Sequence, residues 1–213
     1  MSALIERLTQ FNAKERYFLV TQILGIAKLL VSPDYWEALA KTGIPIPTPA
    51  PTGHQLFVAM DYHLDWLYAA LCGEMESDCK PIANMEAGIT GTQEDIDFLI
   101  AFEQGDTTHI ILIEAKAYSG WSNKQLTSKL KRLNSIFTED IRRAGIRPYL
   151  VLMSRHKPVK LSAREGWGEW LKQDGSFRWV QLTTGEDIMK ITRCTSDGIA
   201  SENGSHWKIE HRK

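Results

Sequence analysis

Two acidic residues interrupt runs that are otherwise apolar. Asp97 lies in IDFLIAF (96–102) and Glu114 in HIILIEAK (109–116). Directly opposed side chains on one face of a sheet have Cβ atoms ~4.5–5.5 Å apart, and like charges there repel. Such a pair is relieved by sharing a proton or by binding a divalent cation. Lys116 follows Glu114 by two residues, so both side chains leave the same strand face. A lysine beside two carboxylates can hold an attacking water or steady charge that grows on a phosphate. Asp95 is a further candidate, either pairing with Lys116 or ligating metal.

The elements that must position these groups are two strands joined by EQGDTT, a turn carrying Gly105 and Asp106. Centred there, the hairpin sets Leu99 against Leu112, Asp97 against Glu114 and Asp95 against Lys116. Both runs are apolar enough to be central strands, buried on two faces. A basic helix or pair of helices follows over 122–143, with Leu126, Leu130, Leu133, Ile136 and Phe137 as its apolar stripe. Pro148–Met153 reads as a buried strand, with another over 177–182 and a short helix around 186–193.

Upstream, Asn12 and Glu15 fit a capping box, and Phe18, Leu19, Ile23, Leu24, Ile26 and Leu30 follow on a helical period. Ser32-Pro33-Asp34 opens a second helix that Gly43 closes. The prolines of IPIPTPAPTG (44–53) exclude helix and central strand there. A third helix is expected over 54–72, carrying Asp61 and Asp65 on one side, and a short strand over 82–88. The domain organisation that results is an N-terminal helical extension (1–43), a Pro-rich connector (44–53), an α/β domain (54–194) and a flexible C-terminal tail (195–213). No internal repeat is visible. The fold class is α/β, a central mixed sheet flanked by helices.

The 43% hydrophobic and 24% charged residues suit a globular protein in water, and no stretch approaches the ~20 apolar residues that cross a bilayer. The start, MSALIERLTQ, lacks a signal core, so a cytoplasmic location and no membrane contact are expected. Cys72, Cys79 and Cys194 form no CxxC pair, and the six histidines show no metal-ligand spacing, His109 reading as a surface edge residue. Walker, GxGxxG and GxSxG motifs are absent. Net charge is −1, yet Lys116–Lys160 holds eleven Lys and Arg against two acids. That asymmetry implies an electropositive face and a nucleic-acid partner.

Asp97, sixteen intervening residues and Glu114-Ala115-Lys116 together resemble the core motif of the PD-(D/E)xK nuclease superfamily. The order helix, three strands, helix, strand over about 54–154 resembles its restriction-endonuclease-like core (αβββαβ). Ile96 stands where the motif's name has proline. The resemblance implies a metal-dependent endonuclease hydrolysing phosphodiester bonds, with DNA as the expected substrate and Mg²⁺ or Mn²⁺ as cofactor. Asp97, Glu114 and the carbonyl of Ala115 would hold the metal, and Lys116 would orient the water. Asp65, with Asp61 as second choice, would be the additional acid before the sheet, and Gln125 the glutamine on the following helix. Lys124, Lys129, Lys131 and Arg132 would neutralise flanking phosphates. Trp121 would stack on a base or pack, with packing favoured. Many nucleases of this kind act as dimers, so a homodimer is implied. The alternative is a catalytically inactive module of the same fold that binds nucleic acid or a protein partner.

Overall fold

The computed structural model describes residues 3–11, 14–73, 81–84, 88–92, 94–162, 167, 169–185 and 188–211. Three helices come first: α1 (Ala3–Gln10), α2 (Glu15–Leu24) and α3 (Pro33–Ala40). Strand β1 (Leu56–His63) and helix α4 (Leu64–Cys72) follow, then the hairpin β2 (Asp95–Gln104) and β3 (Thr107–Lys116). Helices α5 (Asn123–Ile136) and α6 (Glu139–Arg143) lead to β4 (Ile146–Ser154). Short strands β5 (Lys172–Gln173), β6 (Ser176–Phe177) and β7 (Trp179–Gln181) precede β8 (Met189–Cys194) and β9 (His206–His211).

The protein is α/β, with a five-stranded mixed sheet in the order β1-β2-β3-β4-β7 flanked by helices. β1, β2 and β3 run antiparallel, whereas β3, β4 and β7 run parallel. A parallel neighbour needs a crossover, which α5 and α6 provide. Side-chain alternation divides the core in two. Leu99, Ala101, Ile110, Leu112, Leu150 and Leu152 pack with residues of α1, α4 and α5 on one face. Ile100, Phe102, Ile111, Ile113 and Val151 pack with Trp36 and Leu39 of α3 on the other. Helix α1 therefore contributes to one core and α3 to the other. The stripe expected on α5 is buried as read from the sequence.

The hairpin has the expected register, Leu99 pairing with Leu112, and its turn falls at Gly105 and Asp106. Gly105 sits at φ +58°, a conformation that costs glycine little. Gly145, ahead of β4, has φ +85°, and a Cβ there would lie 2.6 Å from the Asp106 carbonyl oxygen. The hairpin tip and the end of the crossover thus pack backbone to backbone.

Four expectations need correction. The helix expected over 54–72 is β1 followed by α4. Leu56, Met60, Leu64 and Leu67 are spaced like a helix, but pairing of 56–63 with β2 satisfies that backbone instead. Residues 82–84 and 88 form no strand, and 85–87 lie outside the described residues. In place of a helix around 186–193 stands β8, paired along its length with β9, so part of the expected tail is a hairpin strand. Lys14 occupies the N-cap position of α2 without a side-chain cap, and Asn12 lies outside the described residues. The second helix does begin as expected, with Ser32 Oγ accepting the Tyr35 N–H. Among the described residues no helix is long and apolar enough to cross a membrane. Cys72 and Cys194 are free thiols, and Cys79 is outside the described residues.

Candidate active site

The regular alternation of β1 and β2 breaks at one level. Rungs form at Met60–Phe98 and Tyr62–Ile96, but none forms at Asp61–Asp97 between them. Asp61 has φ +50°, an uncommon conformation for a residue with a Cβ. Across this break the packing changes sides. Ala59 and Leu99 belong to the core under α4 and α5, Phe98 packs against the opposite core, and Ile96 and Tyr62 return to the first. Asp97 stands at the switch.

On its other side β2 meets β3, where the last rung is Phe98–Ile113. Beyond it Asp97 and Glu114 do not form the expected rung. Instead the Ala115 N–H donates to Asp97 Oδ2 at 2.7 Å. Asp97 is exposed and lines a cavity of about 430 Å³ with Tyr35, Phe98, Ile113, Ala115 and Met153. Glu114, one residue earlier on β3 than Ala115, projects to the α5 side. The two carboxylates still sense one another: burial raises the Glu114 pKa, Lys129 opposes that rise, and the charge of Asp97 adds to it.

Lys129, on α5, is the ion partner of Glu114. Its Nζ lies 2.9 Å from Glu114 Oε1 and 3.9 Å from Glu94 Oε1, and it donates to the Asp95 carbonyl. Neighbouring acids are also matched: Lys14 lies 2.7 Å from Asp95 and Arg16 lies 3.2 Å from Asp61. Among the described residues Asp97 has no ion pair, which leaves it the uncompensated carboxylate of the group. Asp95, a candidate for pairing with Lys116 or for ligating metal, has Lys14 as its ion partner.

Lys116 ends β3 beside Ser154, its partner on β4. Its ammonium lies 5.4 Å from the centre of the Trp121 ring. The Trp121 indole N–H donates to Ser154 Oγ at 3.1 Å, as does that of Trp179 at 3.0 Å. Trp121 therefore packs, as favoured from sequence, and its ring carries the lysine. Cation–π contact of this type contributes ~0.5–2 kcal/mol.

Several expected members stand elsewhere. Asp65 is near the start of α4, where its oxygens accept the Thr90 and Gly91 N–H groups, the Thr90 hydroxyl and Arg132. Burial would raise its pKa, but these donors and the Arg132 charge outweigh that and lower it. With its oxygens so occupied, Asp65 locks the 88–92 segment to the helices rather than joining Asp97 and Glu114. Arg132 is buried, 2.5 Å from Asp65, and also donates to the Gly88 carbonyl. It is not available to phosphate. Neither is Lys129, held among Glu114, Glu94 and Asp95. Lys124 and Lys131 are exposed on α5. Gln125 is exposed and engaged in the helix cap, its Oε1 accepting the Ser122 hydroxyl at 3.2 Å. Asp61, the second choice, is on β1 at the level of Asp97. His109 is buried, stacked on Phe102 with ring centres 4.9 Å apart and on Tyr149, and its Nδ1 lies 3.1 Å from the Tyr149 hydroxyl. Pairing across Phe102–His109, a central rung, puts it in the core rather than at an edge.

Sequence reasoning missed Lys129 as the partner of Glu114. A signal existed in its place six residues into an amphipathic helix whose buried stripe it borders, but only the fold shows which strand that face meets.

Can these residues suit a divalent ion? Glu114 Oε1 is buried and makes no hydrogen bond of good geometry, although Lys129 lies close. Asp97 Oδ2 is oriented by backbone, and both donors are hard oxygens of the kind Mg²⁺ prefers. The donor chemistry suits such an ion, while Asp97 lines the cavity beside Tyr35 and Glu114 faces Lys129 on α5. Among the described residues no group of three or more acidic, histidine or cysteine side chains is placed to hold a metal. Searches of family models, curated proteins and solved structures match nothing to this chain.

Proposed function

We propose that the chain is a divalent-metal-dependent endonuclease of the restriction-endonuclease-like type, hydrolysing phosphodiester bonds in DNA. The reading rests on Asp97, which has no ion pair among the described residues and is fixed by the Ala115 N–H at 2.7 Å, next to half-buried Glu114 on the neighbouring strand. The sequence motif and the helix-flanked mixed sheet support the same reading. Asp97, Glu114 and the carbonyl of Ala115 would hold Mg²⁺ or Mn²⁺, which when bound supplies charge neutralisation and a more acidic water.

The chain's own groups do the rest. The Ala115 N–H holds Asp97 in one orientation, so little ordering remains when the site fills. Lys129 favours the ionised form of Glu114 against the cost of burial. Lys116, seated on Trp121, offers an ammonium to charge that develops on the phosphate. Lys124 and Lys131 on the exposed side of α5 contact flanking phosphates.

A second reading, an inactive module of this fold that binds nucleic acid, is favoured by the Lys129–Glu114 ion pair: an internal cation already meets one of the two carboxylates. Plasmid nicking separates the two. The enzyme reading expects nicking with Mg²⁺, none in EDTA, and none from Lys116→Ala or Asp97→Asn. An inactive module nicks under no condition but retains salt-sensitive binding.

A further inference from the structure

The loops that leave the carboxyl ends of β3 and β4 enclose a second, smaller cavity of about 230 Å³. Lys116 is in its lining and Glu114 is not. Lys116, Arg155, Lys157 and Lys160 line it, with Tyr118 and Trp121 among the walls. No carboxylate is among the described residues that line it, and none of the four cations makes an ion pair with a described residue. This contrasts with the adjoining acidic group, where Lys14, Arg16 and Lys129 are each matched to an acid. Two of the four are seated on aromatic rings, Lys116 on Trp121 and Arg155 on Tyr118 at 5.5 Å. The Ser154 hydroxyl, which accepts both indole N–H groups, donates to the His156 carbonyl at 2.8 Å and so shapes the start of the second loop.

We infer that this cleft is a phosphate subsite for a single nucleic-acid strand, taking a phosphate adjacent to the one beside Asp97 and Glu114. Four cations with no ion partner among the described residues surround one concavity and favour an anion, and no acid among its described lining residues competes for it. The volume decides how much of the ligand enters. It is below the ~300–1,000 Å³ of pockets that enclose drug-sized molecules. One phosphate with part of its sugar fits, and the base stays outside. Arg155 and Lys157 are the principal contacts, because Arg155 is held on a ring and Lys157 lies two residues further along the same lining segment. The ligand class, though not the cleft, rests on the nuclease reading.

The test uses the full chain and a short fluorescein-labelled single-stranded oligodeoxynucleotide, with binding read by anisotropy in EDTA so that no cutting intervenes. Arg155→Ala combined with Lys157→Ala should weaken binding at least about tenfold. Two lost contacts should also flatten the salt dependence by about 1.4, at ~0.7 per phosphate on a single strand. The charge-preserving pair Arg155→Lys and Lys157→Arg should retain most of the affinity. Unchanged affinity and slope in the alanine pair, or no binding by the natural protein, overturns the subsite. Nicking assays report separately. A natural protein that binds through Arg155 and Lys157 but never nicks keeps the subsite and removes the enzyme reading.

Discussion

Asp97 Oδ2 accepts the backbone N–H of Ala115 at 2.7 Å, just beyond the last β2–β3 rung at Phe98 and Ile113. A side chain here takes over a bond the ladder would otherwise supply, and it fixes an exposed carboxylate beside the Glu-Ala-Lys motif. Asn in place of Asp97 can still accept that N–H through its amide oxygen, but it carries no charge. Asp97→Asn should therefore fold normally, lose nicking at least about 100-fold, and lose any Mg²⁺-dependent rise in melting temperature. For the natural protein, Mg²⁺ at 100 times its Kd contributes about 2.7 kcal/mol of stability. Differential scanning fluorimetry with and without Mg²⁺ measures both halves.

Glu114 makes stability depend on pH in a definite sense. Burial, with help from Asp97, raises its pKa despite Lys129. Folded protein then binds this proton more tightly than the unfolded chain does. The contribution is fully present below the ordinary glutamate pKa and is lost as pH rises through the raised value. Glu114→Gln mimics the protonated form. In metal-free buffer it should melt higher than the natural protein at pH 7, with the advantage shrinking toward pH 4.

The Asp65–Arg132 pair runs the other way. Hydrogen bonds and the Arg132 charge lower the Asp65 pKa, so its contribution is present above the ordinary aspartate range and is lost as pH falls through the lowered value. Arg132→Met leaves a buried carboxylate without its cation and should cost about 3–5 kcal/mol at pH 7. Urea denaturation at pH 7 and pH 3 should show a large cost at the first and a smaller one at the second.

Lys129→Met removes the cation nearest Glu114. Loss of this partly buried pair should cost about 1–3 kcal/mol at neutral pH and much less at pH 4, where Glu114 is protonated. If Lys129 instead acted as a surface phosphate contact, the substitution would leave stability unchanged and weaken only nucleic-acid binding.

The hairpin was legible because two β-branched, apolar runs flank one Gly-Asp turn, and side-chain period then fixes every pair from Leu99 to Leu112. The buried stripe of α5 was legible for a similar reason. β1 was not. Leu56, Met60 and Leu64 repeat at four residues as a helix would, and only pairing with β2 decides against it. Nor could the switch of faces at Asp61 and Asp97 be read, since it depends on Asp61 at φ +50°. Of the candidate site, Asp97, Glu114 and Lys116 do lie at one end of neighbouring strands. Asp65 and Arg132, separated by 67 residues, find each other across two helices, and no local pattern announces such a pair.

The metal-dependent reading depends on Asp97 and Glu114 sharing one divalent ion. A crystal soaked in Mn²⁺ tests it most directly, through anomalous scattering at the ends of β2 and β3. The expected result is a peak within ordinary metal–oxygen distance of both carboxylates, with Lys129 displaced from Glu114 Oε1. No anomalous peak, with Lys129 still beside Glu114 Oε1, would overturn the shared-ion proposal.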